Sequence, residues 1–186
     1  MTPAQLNLRT LRDRPFDLLR ELERRGRAVS GGRRLAEGAD WVGVAFRIGP
    51  EAFLVPREEI REVMAYPSQV TRVPGARSWV RGICSLRGQL LPVIDLRHFL
   101  GSGVTPTGRT SRVLVVNHRD VPAGLLVDEV LGFRRFSETE HNAICPPTLV
   151  RCERYLSGAF RRSNDSWPVL SLSKLVEDPS FLHAAA

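Results

Sequence analysis

The chain has 186 residues, of which 42% are hydrophobic and 25% are charged, so it can build a stable core in one domain or two small ones. Its formal net charge is +7, and all 27 basic residues except Lys174 are arginine. No run approaches the roughly 20 apolar residues of a membrane span, and the N-terminus lacks the apolar core of a signal peptide. These features favour a cytoplasmic protein and argue against a membrane-inserted or secreted one.

The basic charge raises the question of nucleic-acid binding. The arginines are spread in short clusters, and no helix-turn-helix or aromatic RNA-stacking motif accompanies them, so a nucleic-acid-binding barrel is only an alternative. The four histidines share no ligand spacing, and no metal site is predicted. The cysteines form no CxxC pair and are predicted to be reduced, mostly buried thiols. They are Cys84, Cys145 and Cys152.

The first 40 residues form an N-terminal extension. Its apolar residues recur at helical spacing, which predicts one amphipathic helix that ends before Ser30-Gly31-Gly32. The apolar positions are Phe16, Leu18, Leu19 and Leu22. This stripe is compatible both with packing on the rest of the protein and with docking on a partner.

From Trp41 onward, apolar residues alternate with small or polar ones, as in half-buried strands. A tight turn is predicted at Arg87-Gly88-Gln89, between two strands. The predicted strands of this first part are 42–48, 52–55, 80–86 and 90–96, with a short helix or extended turn at 56–64.

The same order of elements recurs in a second copy, at about residues 112–172. Aligning Pro92 with Pro168 gives an offset of 76 positions, and aligning Ala52 with Ala123 gives 71. Two copies of one small β unit predict an all-β protein made of a pair of barrels. The second copy has predicted strands at 112–117, 123–127, 149–152, 156–161 and 169–172, a turn at 128–133, and a helix at 173–178, followed by a tail at 179–186.

No motif nominates an active site. The chain has no GxxxxGK[ST], GxGxxG, HExxH or GxSxG sequence. Asp95 ends an apolar strand and is predicted to cap the following turn rather than to accept a phosphoryl group. His98 and His118 have no nucleophile spaced to meet them and are interpreted as surface histidines. An enzyme is therefore the least favoured class, and no catalytic residue or cofactor is predicted.

Several short motifs together resemble the CheW-like domain. They are IREV (60–63), TRVPG (71–75), WVRGI (79–83), SLRG (85–88) and LPVIDL (91–96). The resemblance covers about residues 41–178. The N-terminal extension and the ending Trp167-Pro168-Val169 are most similar to adaptors of the type IV pilus twitching-motility system. Ser85 departs from the family, which usually has Asn at that position.

The resemblance implies two intertwined SH3-like five-stranded barrels with a hydrophobic core between them and no catalytic activity. It implies an adaptor that couples the cytoplasmic tip of a methyl-accepting chemoreceptor to the regulatory domain of a CheA-type histidine kinase. By motif match, the receptor-binding residues would be Ile60, Glu62, Gly82, Arg87 and Gly158. The kinase-binding residues would be Val70, Val73 and Val80.

The residues themselves leave other roles open. Arg87 could reach outward to a receptor carboxylate or pair internally with Asp95. Glu62, expected at the end of a short helix, could simply belong to a solvated face. Gly82 could let a partner helix approach the backbone, but a positive φ or a bulge explains it and Gly158 almost as well. An adaptor of a flagellar or surface-sensing array is a further alternative.

Overall fold

A computed structural model describes residues 41–185, which form two β-sheets and three short α-helices. The helix predicted within residues 1–40 lies outside the described residues. The strands are β1 (Trp41–Ile48), β2 (Glu51–Pro56), β3 (Ile60–Ala65), β4 (Val80–Leu86), β5 (Gln89–Asp95), β6 (Arg112–Val116), β7 (Gly124–Val127), β8 (Glu129–Phe136), β9 (His141–Asn142), β10 (Leu156–Arg162) and β11 (Asp165–Leu170). The helices are α1 (Leu96–Phe99), α2 (Leu172–Val176) and α3 (Pro179–Leu182).

The two copies of the repeat exchange strands. One sheet has the order β8-β1-β2-β11-β10-β9, and the other has the order β3-β6-β7-β5-β4. We call the five-stranded sheet the first barrel and the six-stranded sheet the second barrel. Each combines strands from both copies, because β1 and β2 join the second barrel while β6 and β7 join the first. The predicted all-β, intertwined fold is confirmed, with β9 as an additional two-residue strand in the second barrel.

Burial on both faces of the central strands explains their nearly continuous apolar sequence. In β1, Phe46 and Ile48 belong to the large core that contains residues of both sheets, whereas Ala45 belongs to a smaller cluster within the second barrel. In β6, Leu114 belongs to the large core and Val113 to a cluster within the first barrel. A hydrophobic core therefore lies between the barrels, and each barrel has a smaller core of its own.

Two elements differ from the sequence prediction because they pair with strands of the other copy. Residues 56–64 contain only a short 3-10 helix, Arg57–Glu59, before β3 begins and pairs antiparallel with β6. Residues 128–133, predicted as a turn, lie mostly in β8, which pairs with β1. Pairing with distant strands overrides local propensity at both places. The predicted strand at 149–152 is absent, since residues 149–151 form bends and residue 152 is irregular.

The ends of the two repeats match in detail. The Asp95 carboxylate accepts a hydrogen bond from the His98 backbone at the start of α1, as predicted for a cap. At the equivalent position, 76 residues later, the Ser171 hydroxyl accepts from the Lys174 backbone at the start of α2. These two hydrogen bonds support the duplication read from the sequence.

The segment after residue 178 packs into the large core. Helix α3 buries Phe181, which is 5% exposed, against Trp79 at a ring-centroid distance of 6.0 Å and Phe99 at 5.3 Å. Ala185 then forms an isolated antiparallel bridge with Ala76. The residues expected to form a tail thus include part of the folded core. Within residues 41–185, no helix is long and apolar enough to cross a membrane.

Candidate protein-binding surfaces

Arg87 lies at the tip of the hairpin formed by β4 and β5. The last strand pair is Leu86 with Gln89, so Arg87 and Gly88 form a two-residue turn. Both have positive φ, 51° and 81° respectively, as the twist of a two-residue hairpin favours. The tight turn predicted from the sequence is confirmed, and its geometry points the Arg87 side chain into solvent, where it is 80% exposed.

Glu62 is the partner of this guanidinium. Arg87 Nη2 lies 2.6 Å from Glu62 Oε2, and the Glu62 side chain is 22% exposed. Strands β3 and β4 are the outermost strands of the first barrel, so this ion pair joins the two edges of one curled sheet. Glu62 Oε1 is buried and has no hydrogen-bond partner among the described residues. The pair therefore presents an exposed guanidinium, whereas the unpartnered carboxylate oxygen of Glu62 is buried.

The alternative pairing of Arg87 with Asp95 is wrong. Asp95 is fully buried and is paired with Arg81, whose Nη2 lies 2.9 Å from Asp95 Oδ2. The expectation that Glu62 ends a helix is also wrong, because it belongs to β3 and faces Val115 of β6 across a bulge. The pairing with Glu62 depends on closure of the barrel, which motif spacing does not reveal.

The three valines assigned to kinase binding line one groove on the first barrel. The groove has a volume of about 430 Å³, and we call it the valine groove. Val73 is 40% exposed, whereas Val80 also packs against the large core. The complete lining is Tyr66, Val70, Arg72, Val73, Ala76, Arg77, Ser78, Val80 and Arg81.

Comparisons with known proteins agree with this architecture. The CheW-like domain family matches residues 42–180, which is most of the chain. This chain belongs to the CheW-like domain family.

Relatives of this CheW-like chain come from several bacteria. It is similar to "Protein PilI" of Pseudomonas aeruginosa, with 38% identity over 173 residues that cover 92% of this chain and 96% of the relative. It is 31% identical to "Chemotaxis protein CheW" of Helicobacter pylori over 160 residues, covering 86% of this chain and 96% of that protein. The crystal structure of the scaffolding protein TtCheW from Thermoanaerobacter tengcongensis matches with a TM-score of 0.66 and 25% identity, covering 76% of this chain and 96% of the other.

The other residues assigned to receptor binding present little side-chain surface that a receptor could contact. Ile60 is 3% exposed and belongs to the large core. Gly82 lies in a bulge of β4, where an added Cβ would overlap the Thr71 carbonyl oxygen. Gly158 lies in a bulge of β10 against His141 and Asn142. The space beside each glycine is already filled by this chain, so the bulge explanation fits better than close approach of a partner helix.

Sequence reasoning missed several groove-lining or exposed residues. Arg72 and Arg81 line the valine groove, although both belong to motifs that carried the family resemblance. Leu90, two residues beyond the hairpin turn, is 71% exposed. Phe133 is 62% exposed on the edge strand β8, in a segment predicted as a turn. The available sequence signal for Phe133 was its position as an apolar residue beside the charged residues Arg134 and Arg135 in a segment with strand periodicity.

The cysteines were predicted to be mostly buried, and His98 and His118 to be surface histidines. Cys84 and Cys152 are buried, and burial raises the pKa of Cys152 to about 11, which keeps that thiol protonated near neutral pH. Ser78 Oγ lies 3.3 Å from His98 Nε2, so a hydroxyl does meet this histidine, contrary to expectation. In the described part of the chain, no cluster of three or more His, Cys, Asp or Glu residues is arranged to hold a metal.

Proposed function

We propose that this chain is a non-catalytic adaptor that couples methyl-accepting chemoreceptors to a CheA-type histidine kinase in the array controlling type IV pilus twitching motility. The observation that carries the proposal is the similarity to PilI along 92% of this chain. The adaptor acts in the cytoplasm, where it is recruited to receptor arrays. Its mechanism is binding, and receptor state changes kinase activity through differential affinity for two states of its partners.

The Glu62–Arg87 pair is the proposed centre of the receptor-binding surface. The exposed guanidinium can form a bidentate hydrogen bond to a carboxylate on a receptor helix, because its planar fork matches that geometry. The neighbouring Glu62 presents the opposite charge, so the pair selects the orientation of a receptor helix more than it adds affinity. Ile60 and Gly82 help to shape β3 and β4 near this surface, whereas Gly158 shapes β10 in the second barrel.

The valine groove is the proposed kinase-binding surface. Its three valines provide apolar contacts, and an apolar side chain that packs on them would lose water-exposed area worth roughly 25 cal/mol per Å². Because β4 contributes both to the groove and to the Arg87 hairpin, one strand connects the two proposed surfaces. Receptor and kinase would thus be held on the same barrel.

The similarity to the Helicobacter pylori chemotaxis protein CheW supports a second candidate, an adaptor of a chemosensory array other than the pilus one, such as a flagellar or surface-sensing array. Purified full-length chain should be titrated against the regulatory domain of every CheA-type kinase from the same genome. The proposal expects the tightest binding to the kinase of the pilus system. Preferential binding to a flagellar kinase would favour the second candidate, and binding to none would contradict the adaptor function.

A further inference from the structure

The valine groove is strongly basic at its rim. Three of its lining residues are Arg72, Arg77 and Arg81, and no acidic residue is among the described residues that line it. Arg72 is exposed. Arg77 directs its Nε to the neutral carbonyl of Ala185, at 3.1 Å, so this bond leaves its charge uncompensated.

Asp95, the carboxylate that pairs with the groove residue Arg81, is already occupied by partners within the chain. Besides the pairing with Arg81, it accepts hydrogen bonds from the Thr105 backbone at 3.0 Å, from the Thr105 hydroxyl at 2.7 Å and from the His98 backbone at 3.1 Å. It is 0% exposed, so it balances Arg81 alone and cannot turn toward the other two arginines.

Arg81 itself has spare donor capacity. Its Nη2 also donates to the Thr105 carbonyl at 2.7 Å, which fixes one edge of the guanidinium against the Asp95 site. Its Nε is buried and has no acceptor among residues 41–185. Because this atom is buried, it is not presented to a partner, so Arg72 and Arg77 remain as the arginines of the groove that can meet an acidic group.

We propose that the valine groove binds an apolar segment that carries a carboxylate, with the apolar side chains on the valines and the carboxylate at the Arg72 and Arg77 rim. This inference rests on the proposed function, since the segment is assigned to the kinase regulatory domain. A free phosphate or a nucleic acid fits less well, because it would engage the guanidinium groups but leave the valines without an apolar partner. The rim charges would act mainly on the rate of association.

The test measures association and dissociation rates of the full chain with the kinase regulatory domain, over a series of salt concentrations. For the wild type, the association rate should fall as salt rises. Arg72→Glu should lower the association rate at low salt by about tenfold and flatten its salt dependence. Arg119→Glu, an equal charge change on the exposed loop between β6 and β7, is the matched control and should alter the rate by less than about twofold.

A third variant, Val73→Ser, separates the apolar contact with the valines from the charge contact with the arginine rim. Its expected effect is faster dissociation, because Val73 is half-exposed in the groove and would lose apolar contact. Faster dissociation of Val73→Ser together with equal association rates for Arg72→Glu and Arg119→Glu would overturn the acidic-segment inference while leaving kinase binding intact. A wild-type chain that does not bind the regulatory domain would overturn both.

Discussion

Gly82 and Gly158 occupy equivalent bulges, 76 residues apart, in the two copies of the repeat. Their φ angles are 138° and 114°, values that residues with a Cβ rarely adopt. Gly82 directly follows a register shift between two hairpin strands, and Gly158 lies within the corresponding shift of the second copy. The same backbone geometry has therefore been kept in both barrels, where it brings another segment of the chain against the glycine.

Replacing Gly82 with alanine should destabilise the protein. The added Cβ would overlap the Thr71 carbonyl oxygen, and the positive φ would add strain of about 1–3 kcal/mol. Gly108→Ala is the matched control, because nothing lies within 4 Å of its Cβ position. Urea unfolding should show a clear loss of unfolding free energy for Gly82→Ala and a change within about 0.5 kcal/mol for Gly108→Ala. Equal stabilities would show that the bulge is not strained.

Replacing Asp95 should be among the most damaging polar substitutions. Asp95→Ala removes a buried carboxylate and leaves Arg81 and the Thr105 hydroxyl without their partner, which should cost about 3–5 kcal/mol. Asp120→Ala provides a comparison on an exposed loop. Chemical denaturation of both variants measures the difference. A loss below about 1 kcal/mol for Asp95→Ala would mean that the network contributes little.

Truncating Phe181 tests whether the C-terminal segment belongs to the folded core. Phe181→Ala should cost about 3–5 kcal/mol, because the ring is 5% exposed and packs on Trp79. The neighbouring Leu182 is 53% exposed, so Leu182→Ala should have a much smaller effect. Thermal unfolding measures both effects. Similar melting temperatures for the two variants would place Phe181 outside the core.

The Glu62–Arg87 pair should matter more for binding than for stability. Since Arg87 is 80% exposed, breaking the pair should cost no more than about 1 kcal/mol. The exchanged variant Glu62→Arg/Arg87→Glu should recover most of that loss without recovering receptor binding, because the charges presented to the receptor are reversed. Melting temperatures and receptor-fragment titrations on the two single variants and the exchanged variant measure both effects. Recovery of receptor binding in the exchanged variant would show that the pair acts only within the barrel.

Local signals explain which parts of the structure were predictable. The Arg87-Gly88 turn and the Asp95 cap were predicted correctly, because each depends on residues within a few positions along the chain. Strands β3 and β8 were missed, because each forms its ladder with a strand of the other copy. Periodicity describes a segment but not the partner that will complete its sheet.

The same distinction applies to the candidate site. Exposure of Arg87 followed from its position in a tight turn, whereas its pairing with Glu62, 25 residues away, required the two edges of the first barrel to meet. The arginine rim of the valine groove was not recognised, since Arg72, Arg77 and Arg81 are brought together by a loop and the start of β4. Charge spread along a sequence does not show which residues will share one opening.

The most direct test of the adaptor function is a titration of the wild-type chain and Arg87→Glu against two partners from the same genome, a receptor-tip fragment and the kinase regulatory domain. The wild type should bind both saturably. Arg87→Glu should bind the receptor fragment at least about tenfold more weakly and the kinase domain within about twofold of wild type, with a melting temperature lowered by no more than a few degrees. Failure of the wild type to bind either partner, or equal weakening of both interactions by Arg87→Glu, would contradict an adaptor with two separate binding surfaces.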